Sequence, residues 1–120
     1  MTYLKDNFSP GTGPYRDRPF SELLDNLEIE VKAAYYKAYS GKVGLIALVF
    51  TDKETYKRNL ENHVGQIQMF IDPADWEPTQ AYRTIFNAEP DQVVDITPMI
   101  LKFLRSKQIS RWSSVNVFRM

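Results

Sequence analysis

The chain contains no cysteine, so disulfides, thiolate metal sites and cysteine nucleophiles are excluded. It contains one histidine, His63, and a lone imidazole has neither a second histidine nor a thiolate with which to share a metal ion. Long hydrophobic runs are missing too. The longest, Val43–Phe50, is broken by Gly44 and falls far short of the roughly 20 apolar residues that cross a bilayer. No cationic, apolar leader resembles a signal peptide, which sets the expectation of a cytoplasmic protein without membrane contact. An excess of either charge is absent as well: Lys and Arg total 15, and so do Asp and Glu. Internal repeats and low-complexity tracts are lacking. What remains is a chain of 120 residues, 43% hydrophobic and 25% charged. Those values are close to globular averages and fit a single small domain.

The balanced total hides an uneven distribution. Residues 73–95 carry Asp75, Glu77, Glu89, Asp91 and Asp95 against Arg83 alone, whereas residues 96–120 carry Lys102, Arg105, Lys107, Arg111 and Arg119 and no acid. The economical expectation is that the two stretches neutralise each other in the fold or across a subunit contact. The alternative is a basic surface for nucleic acid. Phe103, Trp112 and Phe118 interleave with Lys102, Arg105, Lys107, Arg111 and Arg119, as single-strand-binding grooves interleave stacking rings with cations. Zero net charge weighs against it, because phosphate binding usually shows as an overall basic excess.

The first twenty residues, MTYLKDNFSPGTGPYRDRPF, hold three prolines and two glycines and show neither helical nor strand period. They also hold Tyr3, Leu4, Phe8, Tyr15 and Phe20. A segment that buries nothing gains nothing from such rings, so this arm is expected to lie on another protein chain, a second copy of itself included. The expected organisation is an arm over residues 1–20 and one domain over 21–120.

Within that domain, Leu23, Leu27, Val31, Ala34 and Ala38 recur at spacings of three and four after Ser21, and Gly41 follows. The pattern predicts a helix over 21–39. Leu27 to Lys32 alternates with strand period inside the same stretch, but the alanines favour helix. Val43–Phe50 is short, apolar and rich in branched side chains, which predicts a strand buried on both faces. Thr51 and Glu54 form a capping box that opens a helix ending near residue 63. A strand over 66–71 follows, giving a β-α-β unit whose short crossover also permits antiparallel pairing. Pro73 and Pro78 are placed to open short helices, and a helix is expected over 78–86. Thr97-Pro98 starts another, whose end Lys102, Arg105 and Lys107 crowd. Trp112 to Phe118 alternates as an edge strand would. The expected fold is α+β: a small mixed sheet of about three strands, flanked by three or four helices and preceded by the arm.

Few constellations carry chemistry. Asp72, Asp75 and Glu77 put three carboxylates in one loop, as a hard cation would require, but the glycine turn and terminal Glu of a calcium loop are missing. Glu30-Val31-Lys32 resembles the Glu-x-Lys half of the PD-(D/E)xK nuclease family. In that family an acid holds a divalent ion and a lysine positions the attacking water. The family's further Asp heads a preceding strand, and the upstream acids here are Asp17 and Asp25, the latter too close for a strand and turn between. Ser40-Gly41-Lys42 lacks the upstream glycine of a phosphate loop. Gly11 and Gly13 neither follow a strand nor open a helix.

The expected function is therefore that of a non-enzymatic interaction subunit or adaptor of a larger assembly, with no cofactor and no metal. Its partner-binding residues would be Tyr3, Leu4, Phe8, Tyr15 and Phe20. Small phage or viral structural proteins, and phage proteins that bind a host factor, share this architecture, so the virion is the other expected location. Nucleic-acid binding through Lys102, Arg105, Lys107, Arg111, Trp112 and Arg119 is the first alternative. A metal-dependent nuclease using Glu30 and Lys32 is the second.

Overall fold

The computed structural model describes residues 17–27 and 29–110 and the backbone of 116–119. The fold is α+β. Helices α1 (Phe20–Asn26), α2 (Lys53–Glu61), α3 (Thr79–Phe86) and α4 (Pro98–Arg105) accompany strands β1 (Ala33–Tyr39), β2 (Lys42–Val49), β3 (Ile67–Ile71), β4 (Val94–Asp95) and β5 (Asn116–Arg119). The sheet order is β4-β1-β2-β3-β5, and every pair is antiparallel. The sheet is thus larger than the three strands expected, and it is not mixed.

The helix predicted over 21–39 is the main correction. It stops at Asn26, Leu27 turns to extended backbone, and Ala33–Tyr39 forms β1. Alanine favours helix only weakly. Here the pleated surface wins, because Ala34 and Tyr36 pack into one core while Ala33 and Tyr35 pack into the other. Burial on both faces erased the simple alternation that would have marked the strand.

Gly41, read as a helix stop, instead closes a β1–β2 hairpin. Tyr39 pairs with Lys42 across the two-residue loop Ser40-Gly41, whose φ values of 53° and 80° are both left-handed. Such a loop matches the right-handed twist of the flanking strands and favours Asn-Gly. Ser40→Asn is therefore expected to stabilise the hairpin by a few tenths of a kcal/mol. Gly41→Val should cost about 1–2 kcal/mol, since a β-branched residue is strained at positive φ. Urea titration of both variants checks this; an unchanged midpoint for Gly41→Val would mean that the loop relaxes to another turn.

β2 lies at the centre of the sheet, as the apolar run predicts. Val43, Ile46 and Leu48 enter one core, Ala47 and Val49 the other. The register slips between Lys37 and Ala38, which pair with Leu45 and Val43, so Gly44 is the extra residue of a bulge. The Trp76 ring lies over it so closely that a Cβ at Gly44 would sit 2.6 Å from the indole.

The capping residue of α2 is Asp52, not Thr51. Its carboxylate accepts from the Thr55 N–H at 2.7 Å, which holds it below the usual carboxylate range. Asp95 of the edge strand accepts from Lys53 N–H at 2.7 Å, which ties β4 to the same helix end. α2 is 9 residues long and so rises only about 13 Å, about half the length of β2. The chain re-enters the sheet from the end it left, and β3 runs antiparallel to β2.

The main core lies between the sheet and helices α1, α3 and α4, with Phe20, Leu23, Tyr36, Leu48, Met69, Tyr82, Ile100 and Leu104 all inside. Tyr36 meets the Phe86 edge at 5.3 Å and donates to the Ala88 carbonyl at 2.5 Å. α4 starts as predicted, with Pro98 in its first turn and Thr97 Oγ1 accepting from Ile100 N–H at 3.1 Å. The second core is smaller. Ala33, Tyr35, Ala47, Val49 and Val93 pack under Tyr56 of α2 around a fully buried Gln68. Tyr35 donates its hydroxyl to Gln68 Oε1, and Gln68 Nε2 donates to the Tyr56 hydroxyl at 3.4 Å.

Candidate functional site

The predicted partner-binding residues divide. Tyr3, Leu4, Phe8 and Tyr15 lie outside the described residues. Phe20 departs from the expected arm: it opens α1 and is 0% exposed in the protein's own core. The boundary of the N-terminal segment moves with it. Asp17 N–H donates to the Ile109 carbonyl and Ile109 N–H to that of Arg18, while Pro19 bridges to Gln108. Chain from Asp17 onward thus belongs to the folded unit.

Two of the predicted basic residues are occupied within the fold. Arg105 reaches Asp25 at 2.5 Å, and Lys107 pairs with Glu77 while its ammonium sits 4.4 Å above the Phe103 ring. The Lys107–Glu77 pair joins the basic stretch to the acidic one, but the other described pairs do not: Glu89 meets Arg83, Asp91 meets Lys37 and Arg105 meets Asp25. Lys102 is exposed. Arg111 and Trp112 lie outside the described residues, and the backbone of Arg119 pairs with Ile67.

The remaining candidates do not assemble. Glu30 and Lys32 are exposed and lie in extended chain ahead of β1, not on a helix, and Asp25 is held by Arg105. The 72–77 loop is stitched to residues 108–110 by backbone bonds, from Ala74 N–H to the Gln108 carbonyl and from Ser110 N–H to that of Asp72. No group of three metal-ligating side chains occurs among the described residues. His63 is exposed at the end of α2, with a left-handed φ of 57°. No described helix is long and apolar enough to cross a membrane.

What the fold does gather is aliphatic surface. A groove of about 400 Å³ runs between the end of α1 and α4. Leu24 and Leu27 come from α1 and its C-cap, Ile29 and Val31 from the stretch ahead of β1, and Ile96 and Leu101 from the entry and first turn of α4. All six are only half-buried. Glu30 and Arg105 stand on the rim. α1 carries the chain from the N-terminal junction to this groove in about 10 Å.

Sequence reasoning took Leu27 and Val31 for one face of a long helix. The usable signal was the alternation Leu27-Ile29-Val31, three apolar residues at every second position ahead of β1, all of which line the groove. A second apolar surface is aromatic: Tyr39 and Trp76 lie 5.8 Å apart, each 49% exposed, on the Gly44 bulge. Trp76 was read only as part of a turn.

These features define a small α+β domain with aliphatic and aromatic surface left uncovered at two places. Comparison with protein-family models, curated proteins and solved structures finds no match, so the functional argument rests on this chain's own residues.

Proposed function

We propose that the protein is a non-enzymatic interaction subunit or adaptor. Its N-terminal segment docks on another protein chain through Tyr3, Leu4, Phe8 and Tyr15, and its aliphatic groove receives an apolar segment of that chain. The observation that carries this reading is the groove, where Leu24, Leu27, Ile29, Val31, Ile96 and Leu101 converge yet stay only half covered. Contiguous apolar surface of this kind is the usual mark of an interaction site. Each large apolar side chain contributes roughly 1.5–3 kcal/mol when fully buried, so four anchors supply enough to offset part of the 4–15 kcal/mol cost of association. The partner is a second copy of this chain or a different protein, and a phage or viral assembly is the context the architecture suggests.

The test compares the full chain with a variant lacking residues 1–16. Residues 17–19 are kept because they pair with 108 and 109. Both proteins are run on sizing chromatography with light scattering, alone and after recovery from cells. The full chain is expected to form an assembly that the truncated chain, with unchanged melting temperature, does not form. The same mass and the same retained partner for both would overturn the reading.

A further inference from the structure

The groove between α1 and α4 does not end at Ile29. A second cleft, of about 240 Å³, continues from that residue between Phe50 and Ile67, with Thr51 and Gln66 in its walls. The two form an apolar trough at the end of the sheet where β1 and β3 begin and β2 finishes. Contiguous apolar surface left open on a chain without its partner is an aggregation liability, so a cover for it has a physical use.

The chain carries a cover of the right length. Asp17 lies beside Ile109, and Ile109 pairs with Pro73 just past the end of β3, so the N-terminal segment departs from the opposite end of the sheet. From Pro73 back to Ile67 is six residues, about 20 Å of extended chain. The direction fits as well. Residues 17–19 and 72–74 both pair antiparallel with 108–110, so they run parallel to each other. Chain read backward from Asp17 therefore heads as β3 does when read backward, toward the trough. Between Asp17 and Phe8 lie the eight residues Ser9–Arg16, in which Pro10 and Pro14 favour extension. At about 3.1 Å per residue they reach about 25 Å, which matches the span to the Ile29–Ile67 cleft. That cleft exceeds the roughly 150 Å³ cavity that takes up benzene, so a phenyl ring fits. Leu4 and Tyr3 follow four and five positions beyond Phe8, with Lys5 between. Glu30 on the groove rim has no ion-pair partner among the described residues and complements Lys5.

We propose that, in the chain without its partner, the N-terminal segment lies in its own trough, with Phe8 in the Ile29–Ile67 cleft and Leu4 in the α1–α4 groove. Arm and groove then mask each other until a partner takes both. The proposal rests on the groove being the docking site argued above and adds its regulation. A tethered segment acts at an effective concentration in the millimolar range when its linker matches the span, and a partner's apparent affinity falls with the fraction of grooves it finds open.

The chain has no cysteine, so Ser9→Cys places a single nitroxide on the full-length protein. With nitroxide and isotope label on the same chain, the amide signals of Ile29, Val31, Ile67 and Leu101 are expected to broaden, and Phe8→Asp should restore them. Absence of broadening, or broadening that survives Phe8→Asp and so marks an arm merely sweeping past, would overturn the proposal. So would broadening between chains, read by mixing a nitroxide-bearing chain with an isotope-labelled one, which assigns the trough to the arm of a second copy. The second readout is a synthetic peptide of residues 1–16 titrated into two full-length proteins. It is expected to bind the Leu4→Asp/Phe8→Asp chain about threefold or more tightly than the native chain, whose own arm competes. Equal affinity, or no binding to either, removes the masking. The interaction reading is tested apart from this, since it fails only if deleting residues 1–16 leaves mass and retained partner unchanged.

Discussion

Phe20→Ala is expected to destabilise the protein by about 3–5 kcal/mol, the usual cost of emptying a buried aromatic site. Phe20 is fully buried and packs in the same cluster as Leu23, Ile100 and Leu104. For a chain of 120 residues each kcal/mol lost lowers the melting temperature by roughly 3–6 °C, and the loss is a large part of a total stability near 5–15 kcal/mol. Calorimetry on the variant decides between the two roles of this ring. A partner anchor could be removed with no change in the melting temperature of the isolated chain. A loss below 1 kcal/mol would place Phe20 outside the core and return it to the N-terminal segment.

The second large effect is expected at Gln68. Its amide sits at 0% exposure between two tyrosine hydroxyls on the α2 side of the sheet. Burial pushes the Tyr35 hydroxyl well above its ordinary titration range, so it remains a neutral donor even at alkaline pH where an exposed tyrosine ionises. Gln68→Leu removes Tyr35's acceptor and Tyr56's donor together. At about 1–3 kcal/mol for each of the two stranded polar groups, the variant should lose about 2–6 kcal/mol. Tyr35→Phe in the same chain should recover part of this loss, since a pair replaced by apolar groups strands less than a half-removed one. A double-mutant cycle by urea unfolding measures the coupling, expected above 1 kcal/mol. Strict additivity would show that the two side chains are not coupled.

The same hydroxyl sets an alkaline limit. A tyrosine raised in the folded state but ordinary in the unfolded chain contributes stability that is intact below about pH 10 and lost as the pH rises through and beyond that value. Tyr35 and Tyr82 are both raised in this way, chiefly by burial. Tyr35→Phe, although less stable at neutral pH for want of its bond to Gln68, should therefore lose stability less steeply above about pH 10, as followed by urea unfolding at a series of pH values.

Where a local signal was unambiguous, element and boundary were legible in the chain. Val43–Phe50 had length, branching and flanking turns that fit a central strand, and Thr97-Pro98 marked the start of α4 to the residue. Ala33–Tyr39 was not legible, because alanine-rich chain buried on both faces carries helix propensity and no clean alternation. Asp52 displaced the expected capping box because two adjacent residues both suit that position and only the geometry of the strand exit selects one. The clefts were illegible for another reason. Ile29, Gln66 and Thr51 are far apart along the chain, and no local pattern announces that they share a cavity wall.

The sequence by itself determined the α+β class, the central strand, a helix over 78–86 and another opening at Thr97-Pro98, and the lack of thiol or paired-histidine chemistry, since each depends on residue type or on neighbours within a few positions. Tertiary structure alone decided that Phe20 joins the core, that β3 returns antiparallel, that Lys107 meets Glu77, and that aliphatic and polar groups converge in two clefts. Those outcomes depend on strand pairing and packing between residues distant in the chain, where the free energy of covering both faces of a sheet outweighs local preference.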